Sequence, residues 1–424
     1  MNKWLELKLS EIGTFKSSGV DKVVTPGEKI VRLVNYMDVY RSNMIYYSQR
    51  LAETSATNHE IDSFDLQKGD VLFTPTSETP DDIGHSSVVL EDMPNTLYSY
   101  HLTRFRENSK KYLDDTFKAF VFNQTFVLKQ FELKAAGSTR FTLTKGSFES
   151  TIIKFPENKS EQKKIAQILS TTDTVIEKTQ AAIAKYKAIK QGMLNDLFTR
   201  GIDTKSGKLR PKQEDAPHLY KESELGWIPK EWDEEESKSV VNFINGRAYS
   251  IHEWESNGTP VIRLQNLTGS GENYYYSNLV LPESQYCKKG DLLYMWSATF
   301  GPHIWKGDKA IFHYHIWKVE CSKRINQTYF YYELLRFTET VLNGSNGSTM
   351  AHITKLGMDK RLINVPSIPE QEFILNRLLS IDKQLQTEQN YLQKLQQIKS
   401  GLMADLLSGK KLVTVNKVVE TQTN

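Results

Sequence analysis

Two sets of residues have the types that catalysis or metal binding would need. Pro80-Asp81 followed by Glu132-Leu133-Lys134 matches a loose PD…ExK order, the carboxylate–lysine set of many metal-dependent nucleases. The gap between its halves is long, and the second half of the chain has no counterpart. His313 and His315 alternate along a strand-like run and would face one side, with His303 and Cys321 near in sequence, as a zinc site would need. Only His101 and His315 recur between the two halves of the chain, and His85 loosely echoes His303. That pattern favours satisfied structural or surface-binding histidines over metal ligands. No GxGxxG or Walker-type loop is present to hold a nucleotide cofactor. The Asn/Asp-Pro-Pro-aromatic tetrad that an amino-methyltransferase uses at its target adenine is also missing. The expectation is a chain with no catalytic residue, no metal and no cofactor of its own.

What must position any binding residues is a frame that occurs twice. GSTRFTLTKGSFESTIIKFP begins at Gly137 and GSTMAHITKLGMDKRLINVP at Gly347, an offset of 210 (347 − 137). A helical pattern follows each copy: Gln162, Ile165, Leu169, Asp173, Lys190 and Asp196 recur as Gln371, Ile374, Leu378, Asp382, Lys399 and Asp405. Fainter echoes are Lys68-Gly69-Asp70 with Lys289-Gly290-Asp291, Tyr100-His101 with Tyr314-His315, and Arg32-Leu33 with Arg263-Leu264. Solenoid units run about 20 to 50 residues, so this is instead a duplicated globular unit plus helix.

Composition narrows the class. A length of 424 residues predicts two to four domains at roughly 100 to 200 residues each. A net charge of +3 excludes a histone-like polycation but leaves room for a local basic face. Two cysteines, Cys287 and Cys321, cannot build a disulfide framework and point to a reducing compartment. No signal peptide or long apolar run is visible, so a cytoplasmic protein without membrane spans is expected.

The chain divides into a mainly β domain over 1–156, a helix over 157–200, a polar linker over 201–231, a second domain over 232–366, a second helix over 367–408 and a flexible tail over 409–424. Val31–Val34, Val71–Phe73, Ser87–Leu90 and Phe120–Phe122 read as strands between turn residues, with a helix around Asp114–Asn123. Steps of three and four define one apolar seam on each long helix. The first carries Ile165, Leu169, Ile176, Ile183 and Tyr186; the second carries Ile374, Leu378, Ile381, Leu385, Leu392, Leu395 and Leu402. About 40 residues at 1.5 Å each make a rod of roughly 60 Å, too long for one small domain. The expected fold is α+β: two β-rich domains in pseudo-twofold tandem repeat, joined by two long antiparallel helices forming a coiled-coil spacer.

A helix ending in QGMLNDLFTRGIDTKSGKLRP, then ELGWIPKEW opening a second domain, then PEQE and KSGLMADLLSG around a second helix, resembles the specificity subunit of a type I restriction-modification system. The resemblance covers essentially the whole chain and is most specific from Gln191 to Trp232. It implies two target-recognition domains, each reading one half of a split double-stranded DNA sequence. It also implies docking of two modification (methyltransferase) subunits that use S-adenosylmethionine on adenine, and two motor-nuclease restriction subunits that use ATP and magnesium. The host would be bacterial or archaeal, with the protein at the nucleoid. Domains alike in frame but different in detail fit an asymmetric target, whereas a homodimer would read a palindrome.

Base reading needs donors and acceptors on loops held by a rigid frame. Three loops per domain qualify. The first holds Lys16, Ser17, Ser18 and Gly19, echoed by Asn245, Gly246 and Arg247. The second holds Thr74, Thr76, Ser77 and His85, echoed by Trp296, Ser297, Thr299 and His303. In the resembled family the second segment is a strand and a small-residue turn, and LYMWSATFGPHIW fits that better than the first copy does. The third holds Ser138, Thr139 and Arg140, echoed by Ser348, Thr349 and His352, and Asn35, Gln265 and Asn266 are further candidates. Any one of them could be an ordinary turn residue, and basic ones could grip phosphate. The competing reading is a protein-interaction scaffold with duplicated β domains; a duplicated enzyme ranks behind both.

Overall fold

The structure is a computed structural model that describes residues 3–271, 273–344 and 353–414. The chain packs as two compact units, Met1–Ala181 with Asn390–Asn424, and Ala182–Gln389. Each unit joins one β-rich domain to part of both long helices, so the division runs across the helices and not at their ends.

In the first unit, Trp4–Lys8 pairs antiparallel with Ile152–Pro156 and ties the two ends of the domain together. A five-stranded sheet runs in the order Gly13–Ser17, Thr103–Glu107, Val71–Phe73, Ser86–Val89, Met44–Ile45, and a three-stranded sheet in the order Ala52–Ala56, Lys29–Val34, Thr96–Tyr98. Phe15, Phe73, Phe105, Phe122, Phe131 and Phe148 fill the core, with Phe73 and Phe148 ring centroids 5.3 Å apart. Each such side chain contributes about 1.5–3 kcal/mol by leaving water. The helix expected around Asp114–Asn123 forms at Asp115–Val121, and Phe120–Phe122, which also read as a strand, lies on and just past it. Asp114 decides this locally: its Oδ1 accepts the N–H groups of Thr116 and Phe117 at 3.0 and 3.3 Å, a helix N-cap.

The second unit repeats the plan. Asp233–Glu236 pairs with Leu362–Val365. One sheet runs Val241–Asn245, Ile316–Cys321, Leu292–Ser297, Thr299–Ile304, and the other runs Tyr275–Ser277, Thr259–Ile262, Ala310–Phe312, Tyr286–Cys287. The repeated threonines are caps: Thr144 Oγ1 accepts from Ser147 N, and Thr354 Oγ1 from Gly357 N, both at 3.1 Å. The repeated glutamines are fully buried and make the same set of bonds. Gln162 accepts from Asp114 N and donates to Tyr112 O and Pro156 O; Gln371 accepts from Asn326 N and donates to Arg324 O and Pro366 O. Three otherwise orphaned backbone groups at the domain–helix junction are satisfied this way.

The long helices span Lys159–Thr199 and Ile368–Leu407. All twelve seam residues are buried or half-buried. In the first unit Ile165 and Leu169 share the domain core with Leu406 and Leu407. In the second, Ile374 and Leu378 share it with Leu194 and Leu197. The seam ends are thus parts of domain cores as well as of a helix pair. Lys399 Nζ meets Asp173 Oδ1 at 2.5 Å in the first unit, and Lys190 Nζ meets Asp382 Oδ1 at 2.6 Å in the second. Partner numbers fall along one helix as they rise along the other, so the two run antiparallel.

Residues 201–231 are folded. Two short hairpins, Ile202–Asp203 with Lys208–Leu209 and Tyr220–Ser223 with Gly226–Pro229, occupy them. Gly201 has φ +62°, and a Cβ there would collide with the Trp232 ring. Buried Arg210 pairs with buried Glu370, whose Oε1 also accepts the Ile202 N–H at 2.8 Å. Among the described residues no helix is long and apolar enough to cross a membrane.

Candidate nucleic-acid interface

In the first domain the second and third candidate loops are joined. Thr76–Ser77 pairs with Phe141–Thr142, and Leu143 N donates to Pro75 O at 2.8 Å. This places Thr76, Ser77 and Arg140 on one cleft of about 480 Å³, which Lys22, Tyr36, Tyr40, Asp82 and His101 also line. Gly137 makes the turn possible, because a Cβ there would run into the Arg140 carbonyl oxygen. Ser138, Thr139 and Arg140 are all exposed. Tyr36 donates to Thr76 O at 3.0 Å and stacks on Tyr40, with centroids 5.9 Å apart. Asp82 accepts from Tyr40 Oη at 3.0 Å and lies 2.7 Å from His85 Nε2. Burial pushes the Tyr36 phenol up, while burial, Lys22 and Arg140 push the His101 imidazole down.

The other first-domain candidates are held by the frame. Ser17 Oγ bonds Thr103 Oγ1 at 3.1 Å, Lys16 lies over the Phe64 ring, and Ser18 Oγ accepts from Val20 N. Thr74 is fully buried, with its N–H and hydroxyl turned to the His85 carbonyl. Asn35 opens the helix Tyr36–Arg41, and its N–H donates to Asp38 Oδ2 at 2.8 Å.

In the second domain Leu292–Ser297 and Thr299–Ile304 form a hairpin turning at Ala298, φ +60°. It carries Trp296, Ser297, Thr299 and His303. Trp296 Nε1 donates to Tyr314 O at 2.8 Å, and its ring stacks on Trp317 at 5.7 Å. Asn245 O accepts from Gln285, and Arg247 pairs with Glu253 at 2.5 Å. A Cβ on Gly246 would strike the His313 carbonyl oxygen. Asn266 Oδ1 accepts from Arg263 N at 2.9 Å and its amide donates to Gly271 O and Asn273 O; Gln265 O accepts from Gly271 N. Ser348, Thr349 and His352 lie outside the described residues.

Register corrects two sequence pairings. Leu72 faces Ser87 where Leu293 faces His303, so Ser87 and not His85 is the counterpart of His303. Arg263 caps a helix after its strand, as Asn35 does, and so does not correspond to Arg32. The Arg32 guanidinium is spent on the carbonyls of Tyr47 and Gln49 at 2.8 and 2.6 Å. His313 and His315 lie at a bridge and a turn, not on one strand, yet their rings meet edge-on at 5.1 Å. The Tyr-His echo survives: Tyr100-His101 and Tyr314-His315 each follow a strand pairing parallel with its neighbour, Val34 with Tyr98 and Ile262 with Phe312. Their rings sit 3.9 and 3.8 Å apart. Burial and then the Arg263 charge lower the His315 pKa; burial, His315 and Arg263 lower that of His313 to about 4. Two neutral imidazoles and exposed tyrosines therefore stand beside a guanidinium.

Among the described residues no group of three or more His, Cys, Asp or Glu side chains is placed to hold a metal ion. In the PD…ExK set, Glu132 pairs with Lys129 and Lys134 donates to Thr151 Oγ1. The sequence missed Lys22, Tyr36, Tyr40 and Asp82 because these side chains do not recur: the helix Tyr36–Arg41 has a counterpart in Leu264–Thr268, but one without tyrosines; the Tyr-His echo was the one available signal for His101.

Comparisons with known proteins agree with this arrangement. The family described as type I restriction modification DNA specificity domain matches residues 1–186 and again 229–397. The MjaVIII type I restriction enzyme specificity subunit of Methanocaldococcus jannaschii is 26% identical over 324 residues, 72% of each chain. The EcoBI specificity subunit of Escherichia coli is 24% identical over 163 residues, 38% of this chain and 34% of its own. Two solved structures share the fold. The S subunit of a type I restriction-modification system from M. genitalium has a TM-score of 0.53 at 15% identity, covering 98% and 97% of the chains. A chain from a type I system described for its complex assembly and conformational transition has a TM-score of 0.57 at 14% identity, covering 95% and 97%.

Proposed function

The chain belongs to the type I restriction modification DNA specificity family and is a non-catalytic DNA target-recognition subunit; from that premise we propose that it reads a split, asymmetric target, one half-site per domain. The observation that carries this is the repeated frame with unrelated reading loops. The caps, the Gln162 and Gln371 junctions and the Tyr-His pairs recur, while the Tyr40–Asp82–His85 group has no second copy among the described residues and the tight turn that carries Trp296, Ser297 and Thr299 is a longer segment in the first domain. Equal frames present equal positions to DNA, and different side chains there demand different bases. The candidates offered to base edges or phosphates are Thr76, Ser77 and Arg140 on one domain and Ser297 and Thr299 on the other. Tyr100-His101 and Tyr314-His315 stand with them. The antiparallel helices serve as the spacer and as the dock for two adenine-methyltransferase subunits that bring S-adenosylmethionine. Motor-nuclease subunits with ATP and magnesium complete a restriction complex in the cytoplasm.

The test is to purify the chain with its modification partner and map methylated adenines. One split asymmetric target is expected from the complex and no methylation from the chain alone. Exchanging residues 232–366 for the matching domain of a relative should replace one half-site and leave the other unchanged. Methylation by the chain alone, or replacement of both half-sites at once, would overturn the reading.

A further inference from the structure

Of the arginines described in the second unit, all but Arg263 donate to a carboxylate or carbonyl oxygen. The Arg263 guanidinium has no hydrogen bond or ion pair among the described residues. It is half-buried and lies over the Tyr275 ring, 4.9 Å from its centroid. Its backbone is fixed as well, since its N–H donates to Asn266 Oδ1. Its charge reaches His313 and His315. In the first unit Arg140 stands in the same relation to His101, on the same cleft and without a partner among the described residues. Yet the two arginines come from different loops. Arg263 follows the strand Thr259–Ile262, and Arg140 precedes the short strand Phe141–Thr142. The Tyr-His pair recurs in both domains, and the arginine beside it comes from a different segment in each.

We infer that each domain reads a guanine with this arginine, Arg263 in the second domain and Arg140 in the first. A phosphate needs only a positive charge, which a mobile lysine supplies. The Arg263 guanidinium is braced over the Tyr275 ring, which narrows the freedom of its fork, and that is useful where two acceptors sit at fixed geometry. Guanine O6 and N7 in the major groove are such a pair, and arginine is its commonest reader. The neighbouring neutral imidazole adds one donor and one acceptor without repelling the arginine.

The inference rests on the proposed reading of DNA, and the experiment separates the two. With the complex of chain and modification subunits, the native target is mapped and binding to single-base variants is measured at several salt concentrations. Each half-site should contain a guanine whose replacement weakens binding roughly tenfold or more. Arg263→Lys should abolish that discrimination in the second domain's half-site only, and Arg140→Lys in the first domain's only. Tyr275→Leu, which keeps Arg263 but removes its support, should weaken discrimination in the same half-site by a smaller factor. The untouched half-site in each variant reports that the protein is folded. Unchanged discrimination in both lysine variants, uniform weakening with a flatter salt dependence in the corresponding alanine variants, or a half-site without guanine would each overturn the inference. A native complex with no sequence preference would instead sink the DNA-reading proposal itself.

Discussion

The two domains share what faces the backbone and differ in what faces outward. Gln162 and Gln371 make the same set of bonds, Thr144 and Thr354 cap the same short helix, and Asn35 and Arg263 open helices through an N–H held by the third residue on. Outside that frame the first domain has a cleft with stacked tyrosines around Asp82, and the second has a hairpin braced by Trp296 against Trp317. A residue that satisfies a buried backbone group can change only with the group it serves. A side chain on a loop can change alone. Divergence after duplication therefore accumulates on the loops, where the proposed reading puts target choice, and the frame is what stays shared.

The comparison breaks most sharply where the long helices begin. Glu370 is buried and paired with buried Arg210. Its counterpart one repeat earlier, Glu161, is also buried but has no ion-pair partner among the described residues. Removing one member of a buried pair costs about 3–5 kcal/mol where the other charge is left unpaired; Arg210 keeps exposed Glu231 at 3.1 Å, which softens that loss. Glu370→Ala should therefore cost about 3 kcal/mol in the second unit, whereas Glu161→Ala should cost about 1 kcal/mol or less, the usual worth of an acidic side chain in a helix's first turn. Urea denaturation of the full chain, followed by tryptophan fluorescence, measures both. Equal losses would show that the two helix starts are energetically alike despite their different partners.

Trp296 sharpens the contrast further out. At its ladder position the first domain carries Pro75. Trp296→Ala removes a half-buried ring and the bond that pins Tyr314 O, and should cost about 2–3 kcal/mol, below the full cost of a buried tryptophan. It should also loosen recognition in the second half-site while leaving the first intact, which target mapping in the complex would show. An effect confined to stability would mean that the hairpin supports the domain without shaping its reading face.

How much of this the sequence revealed follows from the same division. The duplicated frame, the helix seams and the Tyr-His echo were legible because each leaves a repeated pattern. Phe120–Phe122 was misread because a run buried on all sides has no period, and the Asp114 cap outweighed it. The pairings of Arg32 with Arg263 and of His85 with His303 failed because short echoes in diverged loops carry no register, which only ladder partners supply. Asp82 and Tyr40 were invisible as a pair: they meet through space, 42 residues apart, on a surface present in one copy only.

The smallest expected effect is in pH dependence, and it also differs between the domains. His313 is held down to about 4 from an ordinary 6.5, first by burial and then by His315 and Arg263. Tyr314 touches the His313 ring, and the His313 N–H donates to the Ile262 carbonyl. Between those two values the unfolded chain binds the proton and the folded domain does not. Stability is therefore full above about pH 6.5 and falls as pH drops toward 4. His315 adds to the slope, since its pKa is also lowered. The first domain has only His101 in this role, because its residue at the His313 position is the buried Ser99. The second unit should accordingly lose more of its thermal stability than the first between pH 7 and pH 5. His313→Ser, which copies the first domain, should bring the two slopes closer together. Melting of the full chain at the two pH values checks this. An unchanged slope in the variant would mean that the protonated imidazole is accommodated where it stands, and that the difference between the domains arises elsewhere.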